Sequence, residues 1–390
     1  MGLNYQQVVD KIKELGLNAQ ARQEILDTRR DSARQLLEYW AEKGMELSTK
    51  IEIARKIDPN IRCALPENEP LDSSFIRPPL QESVTLLAAD GSQILPDRHR
   101  AVQYSLINVG AIIIKSGSGL SPDIFTDTTL LSEDELFTET GMVTEEAIEQ
   151  RRDIAERRKL LELVQGYPAP LIALTDGPVE LWGQKNSGGD DYRKNLEIHQ
   201  SILSKLQAKN VVVAGYVDKP GADLVIRALE IAQVSSEDEY QAIRKYHPLR
   251  GVNDRWLYKF LPVGNRSAVF GLQSRSRLHY TGALALHFFY LNVGMENHPW
   301  LVRVEFPRWV ADNIEKLDLL HGCLIQQCQI MGARPYPYIL HRAHELAVVT
   351  LEEKNQVEQL LELEMRRSGL EVEGVSNKQS GKDLPGRGKK

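Results

Sequence analysis

The chain has 390 residues, 42% of them apolar and 26% charged, which excludes disorder along its whole length and suits one large domain with appendages, or two. Lysine and arginine number 48 against 54 acids, a net charge of −6, so charge alone neither points to a nucleic-acid binder nor excludes a basic groove on an acidic body. Cys63, Cys323 and Cys328 are too few for a disulfide framework and form no CxxC pair; they read as buried small apolar residues in a reducing compartment. The N-terminus has no signal-peptide core, and no apolar run is long enough for a membrane span, so the expectation is a soluble, cytoplasmic protein with no membrane partner.

Residues 1–80 read as a helical N-terminal arm and linker. Tyr5, Val8, Val9, Ile12 and Leu15 recur at helical spacing up to Gly16, and a second helical pattern runs from Ala19 to Ile57. Five prolines between Pro59 and Pro79 mark a linker. The texture then changes to strands and helices in alternation. Strand-like runs fall at Ser83–Ala89, Val102–Ile114 and Asp123–Leu131, followed by a helix over Thr144–Val164 with Thr144 as its cap. Next come a strand at Pro170–Thr175, a loop at Gly188–Asp191, a helix over Arg193–Ala208, a strand at Asn210–Tyr216 and a helix over Ala222–Ala232. Residues 237–277 resist assignment. Apolar runs return at Ala283–Leu291 and Trp300–Phe306, and one long helical pattern covers Ile339–Arg367. The basic stretch Ser376–Lys390 reads as a disordered tail. The implied class is α/β, with residues 81–350 as the main domain, 351–375 as a helical extension and 376–390 as the tail. Neither a dinucleotide fingerprint nor a P-loop occurs.

Two apolar runs close on the same doublet, Asp90-Gly91 and Asp176-Gly177. Alone, each doublet is well explained as support for a turn. As ends of neighbouring parallel strands, about 5 Å apart, the two carboxylates would converge where open α/β sheets keep their sites. Paired carboxylates suit hard divalent cations, and two ions about 4 Å apart serve phosphodiester hydrolysis. The helix between them offers Glu149 and Glu156 on one face. Glu156 lies on the stripe of Leu160 and Leu163, although Arg152 one turn earlier gives it an ion-pair partner; Glu145 and Glu146 read as solvated first-turn acids. Further on, Tyr336-Pro337 leads into a helix bearing His341 and His344, with His344 expected to point inward beside Leu340 and Ala347, as a core histidine or as a ligand or proton carrier. Arg98, Arg100, Arg303 and Arg308 are candidates for a DNA groove.

A strand with Asp, two further strands, a helix with Glu, a strand with Asp and a late helix with His is the layout of ribonuclease H-like nucleases. Within it, Ala89-Asp90-Gly91-Ser92, Leu174-Thr175-Asp176-Gly177-Pro178, Val302–Pro307 and Tyr336-Pro337 with Ala343–Ala347 resemble the motifs of NurA nucleases over roughly Val84–Val349. That resemblance implies a ribonuclease H-like mixed sheet flanked by helices and a Mn²⁺-dependent 5′-to-3′ DNA exonuclease with single-strand endonuclease activity. It further implies a homodimer that resects double-strand breaks with a HerA-type hexameric ATPase. By position it implies Asp90, Glu156, Asp176 and His344 as ligands of two Mn²⁺ ions, with Mg²⁺ as a substitute, and Lys219 and Tyr336 as further catalytic residues. Asp218 beside Lys219 and the longer loop before Asp176 depart from the pattern, which leaves Glu149 open beside Glu156. The alternatives are a DNA-end or helicase adaptor without catalysis, and a ribonuclease H-like enzyme acting on RNA or junctions.

Overall fold

The computed structural model describes residues 4–80, 83–97, 102–138, 141–182 and 190–369. Arg98, Arg100, Gly188 and Gly189 of the expected 188–191 loop and the 376–390 tail lie outside these residues, while Asp190 and Asp191 of that loop begin a helix. In chain order the elements are α1 (Tyr5–Leu17), α2 (Ala19–Trp40), α3 (Gly44–Ile57), β1 (Cys63–Pro66), β2 (Thr85–Ile94), β3 (Ser105–Lys115), β4 (Asp123–Leu131), α4 (Glu133–Leu136), β5 (Phe137–Thr138), β6 (Gly141–Met142), α5 (Glu145–Leu163), β7 (Leu171–Asp176), α6 (Asp190–Ala208) and β8 (Val212–Val217). There follow α7 (Leu224–Ala232), α8 (Glu237–Gln241), α9 (Asp254–Leu257), β9 (Phe270–Gln273), β10 (Leu286–Asn292), β11 (Leu301–Pro307), α10 (Arg308–Ala311), α11 (Ile314–Ile330), α12 (Tyr338–Ala347) and α13 (Leu351–Arg367). Their contacts define two compact units, one of Met1–Leu80, Gly177–Val179 and Ala214–Tyr336, the other of Gln81–Asp176, Glu180–Val213 and Pro337–Lys390.

In the second unit the strand order is β4-β3-β2-β7. Strand β2 runs antiparallel to β3 and parallel to β7, so the sheet is mixed, and α5 and α12 pack on it. This is the mixed α/β sheet flanked by helices that the order of motifs implies. The run Thr85–Ala89 builds the centre because its side chains are wholly covered: Leu86, Leu87, Ala88 and Ala89 are fully buried, each leucine contributing about 1.5–3 kcal/mol. Helix α5 begins where Thr144 accepts a hydrogen bond from the Ala147 amide, as the sequence predicts. The long helix expected over 339–367 is two helices. The chain turns at Val348–Thr350, and Thr350 with Glu353 forms a capping box that starts α13 afresh.

In the first unit the order is β1-β9-β10-β11-β8, antiparallel at each recorded pair. The proline-rich stretch read as a linker contributes β1, paired with β9 from Cys63↔Gln273 to Pro66↔Phe270. The helical pattern over 19–57 breaks at Trp40 into α2 and α3, both packed on α7. Residues 237–277 form short helices and β9, too short for a periodic apolar face although Ile243, Leu257, Tyr258 and Phe270 are buried. All three cysteines are free and buried, and burial pushes each thiol up to about 12, so they act as packing atoms. No described helix is long and apolar enough to cross a membrane.

Candidate active site

Strands β2 and β7 are parallel with Ala89 opposite Thr175, so Asp90 and Asp176 occupy the next, adjacent positions of the two strands. Neighbouring strands run about 4.8 Å apart, and residues in step point to the same face. The two doublets nevertheless do different work. Strand β7 ends at Asp176, and Gly177 turns the chain at φ +80, a left-handed conformation that favours glycine. Strand β2 does not end at Asp90-Gly91: it continues through Ile94. Gly91 is therefore a close-approach residue and no turn. A Cβ built there would lie 2.6 Å from Arg152 Cγ and 2.8 Å from Glu156 Oε1. With no side chain at 91, α5 lowers Arg152 and Glu156 onto the strand backbone beside Asp90.

On the other side of β2, α12 brings His344 to Asp90, with Nδ1 2.7 Å from Oδ2. The docking is again made by missing atoms and by polar hooks. A Cβ at Gly110, which pairs with Asp90 across β2 and β3, would fall 2.5 Å from the Ala347 amide nitrogen. Asn108 Nδ2 donates to the Ala347 carbonyl at 2.9 Å, and Ser92 Oγ donates to the same oxygen. The inward orientation expected for His344 is corrected. The helix buries Ile339, Leu340, Ala343 and Ala347, while His344 is 64% exposed and reaches Asp90 from the rim.

Glu156 is 5% exposed, whereas Glu149 is exposed, so burial separates the two glutamates that helical spacing alone cannot. Burial pushes the Glu156 carboxyl up to about 8; Arg157 and Arg152 pull it down, Asp153 and Asp90 push it further up. Its Oε1 lies 3.4 Å from Arg152 Nε, an ionic contact without a hydrogen bond. Arg152 instead donates to Gln93 Oε1 at 2.8 Å and to Asp153 Oδ1 at 2.9 Å. Burial opposes the charge on Arg152, but the Asp153, Glu156 and Asp90 carboxylates outweigh it and hold its pKa above the ordinary value. Arg152, Gln93 and Gly91 are the residues that sequence reasoning did not assign to the site; the visible signal was the Asp-Gly doublet, whose glycine suggests a turn.

The donor set fits a hard divalent cation in its chemistry: two carboxylates at adjacent positions of neighbouring strands, a third made reluctant to ionise by burial, and an imidazole. Among the described residues, no three such side chains already close around a common point. Lys219 and Tyr336 belong to the other unit. Lys219 is exposed just beyond β8 with φ 43, and the half-buried Tyr336 ring meets Tyr216 edge-on at 5.4 Å. Arg303 is not a groove residue: it is buried against Glu305 at 2.7 Å. Arg308 is exposed at the start of α10.

The model of the NurA domain family matches residues 84–349, more than half of the chain. The chain belongs to the NurA family. The crystal structure of the NurA nuclease from Sulfolobus solfataricus shares the fold at 12% identity, with a TM-score of 0.50 over 93% of this chain and 98% of that one. Weaker likenesses include the catalytic domain of human Endonuclease V (11% identity, TM-score 0.32, 82% of this chain and 98% of that one) and an Argonaute from A. aeolicus (7%, 0.31, 68% and 28%). No curated protein sequence matches. Membership of the NurA family supports a nuclease role.

Proposed function

We propose that this NurA-family chain is a divalent-metal-dependent deoxyribonuclease, a 5′-to-3′ exonuclease and single-strand endonuclease that acts as a homodimer with a HerA-type ATPase in resecting double-strand breaks. The observation that carries the reading is the parallel register that sets Asp90 beside Asp176, with His344 on one carboxylate and Glu156 arriving over Gly91. Asp90, Glu156, Asp176 and His344 would hold the metal, with Mn²⁺ preferred over Mg²⁺ because an imidazole joins the carboxylates, and two ions in the arrangement usual for phosphodiester cleavage. When bound, the metal supplies an activated water near neutral pH and neutralises charge on the leaving oxygen.

The chain's own side chains do the rest. Asp90 accepts from His344 Nδ1–H, which fixes the ring and turns Nε2 outward as the atom that ligates or carries a proton. Glu156 contributes negative charge only once it loses its proton, which a nearby cation favours. Lys219, as an ammonium point charge, and Tyr336, as a hydroxyl, are the further catalytic residues of this reading.

The test is cleavage of 5′- and 3′-labelled single- and double-stranded DNA, and of RNA of the same sequence, with Mn²⁺, Mg²⁺ or EDTA. DNA cleavage with Mn²⁺, release of the 5′ label first, and silence in EDTA and in Asp90→Asn are expected. DNA binding without cleavage under every condition would make the chain an adaptor, and preferential loss of RNA would move the substrate class.

A further inference from the structure

Arg152 is the positive charge in ionic contact with Glu156, at 3.4 Å, and its placement is built rather than incidental. It stands one turn before Glu156 on α5, its stem rests where any side chain at Gly91 would collide, and its side chain is 28% exposed. The guanidinium is anchored by Gln93 of β2 and by its neighbour Asp153, and it feels the charge of Glu156 and Asp90. Its Nε, facing Glu156, makes no hydrogen bond. Two anchors thus hold the guanidinium without Glu156, leaving that carboxylate to exchange partners at small cost to the arginine.

We propose that Arg152 is the resident counter-cation of the metal-free site: it offsets the repulsion between Asp90 and Asp153, and a divalent cation that takes the Glu156 carboxylate must compete with it. This rests on the metal-site reading above. Arg152 is a positioning residue in this scheme. Without metal it tethers α5 to β2 through Gln93, and with metal it stays on Gln93 and Asp153 while Glu156 turns away. Coupling between two cations that share a carboxylate is reciprocal, so whatever Arg152 contributes to the metal-free fold it subtracts from metal affinity.

The experiment measures Mn²⁺ binding by titration calorimetry, together with melting temperature with and without Mn²⁺, on the full chain and on Arg152→Gln, Arg152→Lys and Asp90→Asn. Arg152→Gln is expected to melt lower without metal, to bind Mn²⁺ about tenfold more tightly and to gain more melting temperature from it. Arg152→Lys keeps the charge on a flexible stem without the planar fork, so its affinity should fall between the two; it carries the test if the glutamine variant does not fold. A lower melting temperature with unchanged or weaker Mn²⁺ affinity would show that Arg152 is merely structural and overturn the proposal. If wild type binds no Mn²⁺ but Arg152→Gln does, the competition is upheld in its strongest form. If wild type binds Mn²⁺ with Asp90→Asn unchanged, the metal-site reading fails instead; if no variant binds it, both fail.

Discussion

Two buried carboxylates, one in each unit, face opposite fates. Asp254, at the start of α9, is fully buried and accepts hydrogen bonds from the Val225 and Ile226 amides at 2.9 Å each and from Tyr290 Oη at 2.6 Å. Burial pushes its carboxyl up only to about 6, because those three donors pull it back. Glu156 is buried to a similar degree, but its contact with Arg152 is an ion pair without a hydrogen bond, and it rises to about 8. A carboxylate whose lone pairs are filled by backbone amides is a structural clamp, here on the first turn of α7. A buried carboxylate left with open lone pairs next to a second carboxylate is expensive unless something else arrives. Burial alone does not mark a functional acid; the state of its acceptors does.

The contrast breaks first at the paired aspartates of β2 and β7. Asp90→Asn or Asp176→Asn should lower metal-dependent cleavage about a thousandfold, roughly 4 kcal/mol of transition-state stabilisation, with the melting temperature near wild type. Either variant retaining a tenth of the wild-type rate would remove that residue from the site. Glu156→Gln should cost about a hundredfold in the same assay and leave the metal-free fold intact, because a neutral amide replaces a carboxyl that burial already holds largely protonated. Asp254→Asn should do the reverse. An amide nitrogen in place of either oxygen faces one backbone N–H, of Val225 or of Ile226, and costs about 1–3 kcal/mol in denaturant unfolding, while the rate per folded molecule stays unchanged. If Asp254→Asn loses rate instead, or Glu156→Gln loses stability instead, the two carboxylates have been assigned the wrong way round.

Gly91→Ala should come next, with cleavage down about tenfold and a small loss of stability, since its methyl would push Arg152 and Glu156 off β2. The pH dependence is subtler. Asp254 ionises at about 6 when folded and at its ordinary 3.8 when unfolded, so the folded chain holds the proton more tightly. Its contribution to stability is full below 3.8 and is lost as pH rises through about 6. The stability difference between wild type and Asp254→Asn should therefore change across pH 4–6 and be flat from pH 7 to 8; a difference that is constant throughout would contradict the raised pKa. Smallest of all, Glu145→Gln and Glu149→Gln should alter stability by less than about 0.5 kcal/mol and leave cleavage unchanged.

Much of this was legible in the residues. The run Thr85–Ala89, the strand Asp123–Leu131 and the Thr144 cap carry local signals that survive into the fold. Helix α11 was not legible: it buries residues around its circumference, from Leu319, Leu320 and His321 to Cys323, Leu324 and Ile325, so no polar stripe marks its period. The break between α12 and α13 was signalled by Thr350 and Glu353 but masked by apolar residues that run on across it. The identical doublets at 90–91 and 176–177 show the deeper limit. What a glycine is for depends on what packs over it, and α5 over Gly91 is a tertiary fact. The family motifs pointed to His344 while its contact with Asp90, 254 residues away, lay beyond any local pattern.

That separation governs when the molecule can become an enzyme during its own synthesis. Strand β2 leaves the ribosome early, but the helix that hooks onto Asn108, Ser92 and Gly110 is Tyr338–Ala347, close to the end of the described chain. Its docking pairs residues at the largest sequence distances, the slowest class of contact to form. A nascent chain that already carries Asp90, Glu156 and Asp176 still lacks the imidazole, so on the reading proposed above, unfinished or prematurely terminated copies would lack one member of the site.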